Sequence, residues 1–519
     1  MFIVVCALHL WKLGSAPKGF YVDEASIAYN AYCIGQTGAD EYGTHWPVFF
    51  RCFDTYTDAV DVYSAVLPIR FLGLNQLTAH LPSALFDLMA CVAFFILLRQ
   101  WRVGEWLALA GAVAFSVVPW VFPLSRNGAF AGHTAALMGL VLGLVLTDAA
   151  LRRRSNGLAI LAGVAWALAF YAHQSIRPVL ALLAAGSAVV LWRSLVRRWR
   201  VVLVMLGSAF AVLLPMIISV ARFPQALTAR FNQVGLSSET GSVWNMVTGV
   251  ASRYADYFGP RFLFISGDDE LRHHTGHGGE LYWCLVPLIL AGLYVAIRYW
   301  RSQPRYRVVL IGLLVSPVAA ALTIDRMHST RGVYAVVFWL TLAVIGARAL
   351  WHHKRLGRKL LVVICAAGLI ECGAYLADYF GPYQARCRKT FQTAFTEALT
   401  YCFNHVHGNQ VLYVSGSVGT TCSTSVDPDF KPFVYMYLLY YGRIDPWTYQ
   451  HGGFSNTIIR PYLERIDRPG LLLRCNYTPD RLQTPFKALP NDESIPTNAI
   501  LAAMFSERPL DYEVYEVRR

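Results

Sequence analysis

The apolar residues of this chain are gathered into long runs that are separated by polar connections. A helix needs about 20 apolar residues to cross the hydrocarbon core of a bilayer, and about eleven runs reach or approach that length. They lie near residues 1–15, 77–98, 106–123, 129–151, 157–172, 177–192, 201–220, 281–298, 308–324, 333–350 and 360–379. The first run is short for a span, and it lacks the basic segment and the cleavage site of a signal peptide. The pattern predicts a transmembrane helical domain over residues 1–380.

After about residue 381 the apolar positions form shorter elements. One helical run covers Phe391–His405, and strand-like runs cover Val411–Val414, Leu471–Leu473 and Tyr512–Val517. Mixed helices and short strands of this kind are typical of a soluble domain. We therefore predict a small α/β domain over residues 381–519.

Composition supports the membrane class. The chain is 55% hydrophobic and 15% charged, and its mean hydropathy is +0.41. A net charge of +13 would suit a nucleic-acid-binding protein, but the Lys and Arg residues form short clusters between apolar runs rather than one basic face. We expect membrane lipid as a partner and no nucleic acid.

The basic clusters also orient the chain. They fall in alternate connections, at residues 99–102, 152–154, 193–200, 298–307 and 354–359. Since Lys and Arg are concentrated in cytoplasmic loops, these five connections are predicted to be cytoplasmic. The chain is then a multi-pass protein of the plasma (inner) membrane, with its long loops and C-terminal domain on the extracytoplasmic side.

The first outer loop, residues 17–76, carries the adjacent acids Asp23 and Glu24 just after the first apolar run. Such acids are often merely solvated. The alternative is a catalytic carboxylate held just outside the lipid. Neighbouring side chains point about 100° apart on a helix, so at most one of the pair faces a common substrate. We favour Asp23, the shorter and stiffer side chain, as a general base.

Arginines in the short outer loops run against the positive-inside bias. They are Arg126, Arg177, Arg326 and Arg331. A single arginine at a helix end is commonly an interfacial anchor. Several guanidinium groups at headgroup depth also suit an anionic phosphate, so a phosphate-bearing lipid is a candidate ligand.

The second large outer loop contains three histidines among acids, His273, His274 and His277. Their spacing matches no defined zinc motif, and the 11 cysteines include no CxxC pair. We therefore predict no metal and no cofactor, although His and acids together could ligate a divalent ion. The glycines of the same segment, Gly276, Gly278 and Gly279, indicate a tight turn that could form a lid or a substrate wall.

Six cysteines lie in the segments predicted to be outside, an even number in a compartment that permits disulfides. Disulfide pairing and free thiols both remain open. The six cysteines are Cys33, Cys52, Cys387, Cys402, Cys422 and Cys475.

Several short blocks along residues 17–350 occur together. They are Gly19–Ser26, Asp40–Gly43 with Pro47 and Phe49–Phe50, Leu81–Phe86, Tyr171–Arg177, Leu271–Gly276 with Gly279, and His328–Arg331. In this order they resemble the GT-C glycosyltransferases of family 39, which include bacterial relatives of protein O-mannosyltransferases and the aminoarabinose transferase that modifies lipid A. The block around Asp23 is the most specific part of the resemblance.

The resemblance implies a GT-C membrane fold and an enzyme that moves a sugar from a polyprenyl-phosphate carrier to an acceptor hydroxyl on the outer face. By this resemblance Asp23 looks like the family's first-loop catalytic acid, with Glu24 as its neighbour in the motif. A carboxylate base and a phosphate leaving group held by arginines fit a single displacement with inversion. The acceptor is left open as a glycan, a lipid or a protein.

The chain departs from the family pattern at Tyr56–Asp61, where many relatives have a Tyr-Lys-Pro-Pro-Leu-Tyr-like run. This removes the usual basic contact to the phosphate. A second acid is also missing around Ser125, so a two-carboxylate or metal-assisted site is not supported. The predicted donor-phosphate residues are Arg51, Arg126, Arg177, His328 and Arg331.

Two other functions remain as alternatives. A flippase or transporter of lipid-linked sugars would carry charged residues or broken helices deep within its spans, often in two related halves. An O-antigen ligase or polymerase would have one dominant outer loop and no Asp-Glu block after the first span. The sequence shows charges at the ends of the spans and no repeat, so both rank below the glycosyltransferase.

Overall fold

A computed structural model describes residues 2–53, 55–236, 243–408, 410–415, 434–451, 459–461, 468–477, 495, 498–507 and 510–518. The chain forms two compact units. The first contains Met1–Leu13, Val48–Asp61 and His80–Tyr383, and the second contains Gly14–Pro47, Val62–Ala79 and Gln384–Arg519. Two segments of the first outer loop thus belong to the same unit as the C-terminal tail, whereas the sequence alone placed a boundary near residue 381.

Helices form most of the described structure. In chain order they are α1 Phe2–Leu10, α2 Val22–Thr37, α3 Ala59–Leu72, α4 Gln76–Gln100, α5 Glu105–Val117, α6 Ala131–Arg153, α7 Asn156–Ala172, α8 Ile176–Val196, α9 Trp199–Arg222, α10 Gln225–Val234, α11 Val243–Asp256, α12 Val286–Arg298, α13 Pro304–Val315, α14 Val318–Ala321, α15 Ser329–Gly332, α16 Ala335–His352, α17 Lys354–Phe380, α18 Pro382–Arg386, α19 Thr393–His405, α20 Val434–Tyr441 and α21 Pro446–Gln450.

Seven helical segments within the described residues are long and apolar enough to cross a membrane. They are Gln76–Gln100, Gly128–Arg153, Ile176–Val196, Trp199–Arg222, Pro304–Ala321, Ala335–His352 and Arg355–Arg386. Three shorter apolar helices, Glu105–Val117, Asn156–Ala172 and Trp283–Arg298, fall on three further predicted spans. The prediction of an α-helical integral membrane protein is confirmed, and the chain is a multi-pass membrane protein.

Small residues let two helices of the first unit approach closely. A Cβ atom on Gly292 of α12 would lie 1.9 Å from the carbonyl oxygen of Leu342, and one on Gly346 of α16 would lie 1.9 Å from that of Leu288. Without a hydrophobic driving force in lipid, such backbone contact is a main source of helix association. These two glycines therefore set the spacing of α12 and α16.

A buried polar group joins three helices of the first unit. His9 of α1 lies 3.0 Å from the carboxylate of Asp87 in α4, and the hydroxyl of Ser116 in α5 lies 3.2 Å from the His9 ring. Ser116 also donates to Asp87. An ionisable residue within a span is stable only when such partners satisfy it, so this group anchors the first helix.

The first outer loop contributes a hairpin and two helices. Strands β1 Phe49–Cys52 and β2 Thr55–Asp58 pair antiparallel in the first unit. In the second unit α2 is largely buried, where the Tyr29 hydroxyl donates to the carbonyl of Ile444 and the Phe20 ring stacks on Tyr440. The alternating apolar and polar residues of this loop predict short helices at the membrane interface rather than spans. Helices α2 and α3 form here, and α2 contributes to the core of its unit.

The C-terminal part of the second unit carries the predicted α/β structure. Its strands are β3 Val411–Val414, β4 Ile459–Pro461, β5 Gly470–Tyr477, β6 Ala499–Glu507 and β7 Leu510–Val517. They form one sheet in the order β4-β3-β5-β7-β6, in which β3 is parallel to β4 and β5, and the other pairs are antiparallel. Alternate side chains of β3, β5 and β7 form its apolar core, including Tyr413, Leu472 and Val517.

Two of the outer cysteines, Cys33 and Cys402, are free thiols within the described part of the chain. Cys422 lies outside the described residues.

Candidate functional site

The residues predicted from the sequence are divided between the two units. Asp23 and Glu24 belong to the second unit. The first unit contains all the predicted phosphate and loop residues, which are Arg51, Arg126, Arg177, His273, His274, His277, His328 and Arg331. The geometry is therefore described within each unit.

Asp23 and Glu24 occupy the first turn of α2, where the helix dipole favours negative charge. The two side chains have different environments. Glu24 is fully buried and accepts a hydrogen bond of 2.8 Å from the backbone N–H of Tyr21, which closes the start of the helix. Asp23 is half-buried. Of the two acids, Asp23 has the more accessible carboxylate.

Arg126 is fully buried, and its guanidinium caps the C-terminal end of α1. It donates to the carbonyls of Leu8, His9 and Trp11 at 2.9, 2.6 and 2.8 Å, and to the Tyr379 hydroxyl at 3.3 Å. The last carbonyls of a helix have no partner within the helix and need donors of this kind. We therefore leave Arg126 out of the phosphate site proposed below.

Arg177 forms a buried ion pair with Asp58, at the end of strand β2. Asp58 also accepts a hydrogen bond of 2.9 Å from the backbone N–H of Gln174. Burial raises the pKa of Asp58, and the neighbouring Arg177 acts in the opposite direction. Asp61 accepts a hydrogen bond from the backbone N–H of Gly132, near the start of α6. Asp58 and Asp61 thus link this segment of the first outer loop to the starts of α8 and α6.

Arg51 and Arg331 have different settings in the first unit. Arg51 is exposed and lies opposite Tyr56 in the β1–β2 hairpin. Arg331 lies in α15 with its side chain mostly buried, and it donates to Asp325 at 2.7 Å and to the Thr323 hydroxyl at 2.8 Å. Arg331 is held in place by these partners, whereas Arg51 projects from the surface.

The loop histidines separate into buried and exposed members. His274 is buried, its ring accepts a hydrogen bond of 3.0 Å from the N–H of Gly276, and burial lowers its pKa to about 4. His277 is exposed. Gly276 and Gly278 have φ angles of 75° and 73°, a left-handed conformation that favours glycine. These residues form the tight turn that the sequence indicated.

His273 belongs to a buried group that also contains Asp268 and His328. The Nδ1 atom of His273 lies 3.0 Å from an oxygen of Asp268, and the His273 and His328 rings are 4.5 Å apart. Burial by itself would raise the pKa of Asp268, but the hydrogen bonds and charge of His273 bring it below the ordinary value. Burial lowers the pKa of His328, and His273 and Arg331 lower it further. The carboxylate is thus favoured in its charged form and His328 in its neutral form.

Glu280 and Ser329 hold this group in place through hydrogen bonds. Glu280 is fully buried, accepts from the hydroxyl of Ser329, and accepts from the backbone N–H of Asp268 at 3.1 Å. Burial raises the pKa of Glu280 well above its ordinary value. Ser329 in turn donates its backbone N–H to Asp268 at 2.7 Å. The loop at 268–280 and the segment at 328–331 are therefore fixed to each other.

His133 lies beside this group, at the start of the span Gly128–Arg153. Its ring is 3.6 Å from the ring of His173, and Phe130 contacts both His133 and His273. Neither ring nitrogen of His133 has a hydrogen-bond partner among the described residues. His133 lies inside an apolar run and was not among the residues predicted from the sequence; an ionisable residue within a span was the available signal.

Asp268, His273 and His328 could hold a metal ion, because one ligand atom from each lies within 4.8 Å of the others. Motif spacing in the sequence predicted no metal. These three residues come from segments that are up to 60 positions apart, so no local motif contains them.

Comparison with known proteins gives a match at the level of structure. No protein-family model and no curated protein sequence matches the chain. A crystal structure of ArnT from Cupriavidus metallidurans bound to undecaprenyl phosphate superimposes with a TM-score of 0.56, over 99% of this chain and 97% of that one. The fold is that of ArnT. The sequences are 14% identical, so the match concerns the fold.

A second crystal structure, of ArnT from the same organism in the apo state, matches with a TM-score of 0.50 and 14% identity over 91% of this chain and 92% of that one. The prediction of a GT-C membrane fold is confirmed by these two matches. Because the match with ArnT spans nearly the whole of both chains, it includes the first outer loop and the C-terminal segment.

Proposed function

We propose that this chain is a membrane glycosyltransferase that takes a sugar from a polyprenyl-phosphate carrier and transfers it to an acceptor hydroxyl on the extracytoplasmic face. The observation that carries this proposal is the ArnT fold over almost the full length of the chain, since the matching ArnT structure contains a polyprenyl phosphate. A shared fold can host different reactions, so the residues of the site must support the chemistry.

In this mechanism Asp23 is the general base. Its partly exposed carboxylate, at the N-terminus of α2, would remove the proton from the acceptor hydroxyl as the oxygen attacks the anomeric carbon. Glu24 would position it by closing the helix start. Attack from the side opposite the departing phosphate inverts the anomeric configuration.

The departing polyprenyl phosphate carries negative charge that needs cationic partners or neutral hydrogen-bond donors. Arg51, Arg177, Arg331 and His328 remain the proposed donor contacts. Arg331 and Arg177 already pair with Asp325 and Asp58, which would hold each guanidinium in a fixed direction. The turn with His273, His274 and His277 would form one wall of the substrate site. The acceptor would be a glycan, a lipid or a protein.

The flippase alternative has one observation in its favour. Asp87 lies inside a span, a position that often marks transport pathways. Its partners are His9 and Ser116, all three residues are fully buried, and Arg126 holds the backbone of His9. This arrangement accounts for Asp87 as an anchor of α1, and the glycosyltransferase remains the better-supported function.

The test is sugar transfer by the purified chain in nanodiscs, with polyprenyl-phosphate sugars as donors. The wild type should release free polyprenyl phosphate. Asp23→Asn should lose at least about a hundredfold in rate, because removing a general base costs roughly 10² to 10⁴. Glu105→Gln, which changes an exposed acid at the start of α5, serves as the matched control and should transfer normally.

Full activity in Asp23→Asn would remove the assignment of the base and leave the fold unchanged. If no donor of this class is turned over by the wild type, while labelled lipid-linked sugar crosses the bilayer, the transporter alternative would replace the glycosyltransferase.

A further inference from the structure

The buried group of Asp268, His273 and His328 has the composition of a metal site. Each residue offers one ligand atom, and these atoms lie within 4.8 Å of one another. Two imidazoles and one carboxylate suit zinc and its neighbours in the first transition series, whereas magnesium and calcium prefer oxygen ligands. The ligand types therefore point to a transition-metal ion.

The separations decide whether an ion fits. For a tetrahedral zinc with bonds of about 2.0–2.1 Å, two ligand atoms are about 3.3 Å apart. The His273 Nδ1 to Asp268 oxygen distance is 3.0 Å, which is close to that value. The widest separation is 4.8 Å at most, so bringing the three ligand atoms to about 3.3 Å requires movements of up to about 1.5 Å.

The surroundings hold the ligands in place. The Asp268 carboxylate accepts hydrogen bonds from the backbone N–H groups of Glu270 and Ser329, at 2.9 and 2.7 Å. The Nδ1 atom of His328 is 3.0 Å from the Thr330 hydroxyl, which leaves its Nε2 atom for an ion. Oriented ligands of this kind are a regular feature of metal sites.

His133 supplies an independent observation. It is 6% exposed, and both ring nitrogens lack a partner among the described residues. A buried polar group without a hydrogen bond is costly unless something absent from the protein satisfies it. Its ring shares Phe130 as a neighbour with His273. An ion with bound water beside His273 would give His133 such a partner.

We propose that Asp268, His273 and His328 bind one divalent transition-metal ion of the zinc class. Three protein ligands leave a fourth position for water or a substrate oxygen. The ion joins the loop at 268–273 to the segment at 328–331, both of which lie in the first unit. The proposal rests on these contacts and does not depend on the glycosyltransferase assignment.

The test uses the full-length chain in detergent after removal of any histidine tag, which would itself bind metal. The protein is stripped with a chelator, loaded with zinc, desalted and measured by mass spectrometry for metal content. One zinc per chain is expected for the wild type. Asp268→Asn and His328→Ala should each lower the affinity at least about tenfold. His277→Ala, the exposed histidine of the same loop, should bind as the wild type does.

A second readout separates loss of the site from loss of folding. Cobalt in a tetrahedral site with nitrogen ligands absorbs visible light, so the cobalt-loaded wild type should show this band and His328→Ala should not. Asp268→Glu keeps a carboxylate and should recover part of the affinity lost in Asp268→Asn. Thermal unfolding of each metal-free variant should resemble that of the metal-free wild type.

Three results would overturn the proposal. They are no zinc retained by the wild type, equal zinc content in the wild type and both ligand variants, or loss of the zinc in His277→Ala. Because none of these measurements uses sugar transfer, failure of the glycosyltransferase function would leave the result on the metal unaffected.

Discussion

At the scale of single residues, arginines in similar loops have different kinds of partner. Arg126, Arg177 and Arg331 all lie in loops predicted to be outside, and the sequence could treat them only as one set. The structure gives Arg126 three backbone carbonyls at and just after the end of α1, and gives Arg177 and Arg331 one carboxylate each. Arg126 is thus held mainly by backbone acceptors, whereas Arg177 and Arg331 are each held by the side chain of an acid.

This difference leads to a prediction for Arg126→Met. The change leaves three carbonyls at the end of α1 without donors, and each bond to a charged group contributes about 1.5–3 kcal/mol. We expect a fall in the unfolding free energy of at least about 3 kcal/mol, seen as a lower midpoint of thermal unfolding in detergent. Arg153→Met, at an exposed arginine, is the control and should unfold like the wild type.

Wild-type stability in Arg126→Met together with weaker binding of polyprenyl phosphate would reverse this interpretation. Arg126 would then be the donor contact that the sequence suggested.

At the scale of elements, acidic side chains hold the part of the first outer loop that lies in the first unit. Asp58 ends β2 and pairs with Arg177 at the start of α8, while Asp61 accepts from Gly132 near the start of α6. These acids stand where the family resemblance led us to expect a basic residue and two prolines. The loop is thus positioned by ion pairing and helix capping, and its hairpin keeps Arg51 on the exposed side.

A double-mutant cycle measures the coupling energy between Asp58 and Arg177. Asp58→Ala and Arg177→Ala should each destabilise the chain, and their combination should cost less than the sum, because one change already leaves the other charge unpaired. We expect a coupling energy of about 1–3 kcal/mol in thermal unfolding. The more exposed i,i+4 pair Asp148 and Arg152 on α6 is the control, with an expected coupling below about 0.5 kcal/mol.

Additivity within error for Asp58 and Arg177 would show that the ion pair does not hold the loop. The position of Arg51 would then have to depend on the hairpin alone.

At the scale of the whole molecule, the second unit is built from distant parts of the chain. The segment with Asp23 and the C-terminal tail share one core, in which Phe20 donates its backbone N–H to the carbonyl of Phe391 at 2.9 Å and its ring stacks on Tyr440. The Tyr437 hydroxyl also donates to the Phe20 carbonyl at 3.0 Å. The tail therefore supports the segment with the proposed base, whether or not it contacts a substrate.

Gly19→Ala tests this dependence with one methyl group. Gly19 has a φ angle of 88°, and a Cβ atom there would lie 2.4 Å from the carbonyl oxygen of Phe391. The strain and the clash should destabilise the unit by at least about 1 kcal/mol and reduce sugar transfer. Gly104→Ala, where nothing lies within 4 Å of the added atom, should change neither thermal unfolding nor transfer. Unchanged stability in Gly19→Ala would mean that the segment does not depend on this contact.

The sequence by itself determined the class of protein and most of its helices. Long apolar runs and clustered basic residues predict spans because lipid requires every backbone group to be paired within a helix, which is a local property of the chain. Strand-like runs such as Val411–Val414 were also predicted, because alternating buried positions repeat over a few residues. The block around Asp23 pointed to the GT-C fold that the ArnT match confirms.

Only the tertiary structure decided which polar residues share a site. Asp268, His273 and His328 are separated along the chain and come together only through packing. Asp23 belongs to the same unit as the tail because residues hundreds of positions apart in the sequence are in contact. Motif spacing, which predicts metal sites, and the number of arginines, which suggests phosphate binding, depend on local sequence alone. The burial of a side chain and the identity of its partners depend on which distant parts of the chain pack beside it. That is why the fold was predictable here and the roles of Arg126 and Asp58 were not.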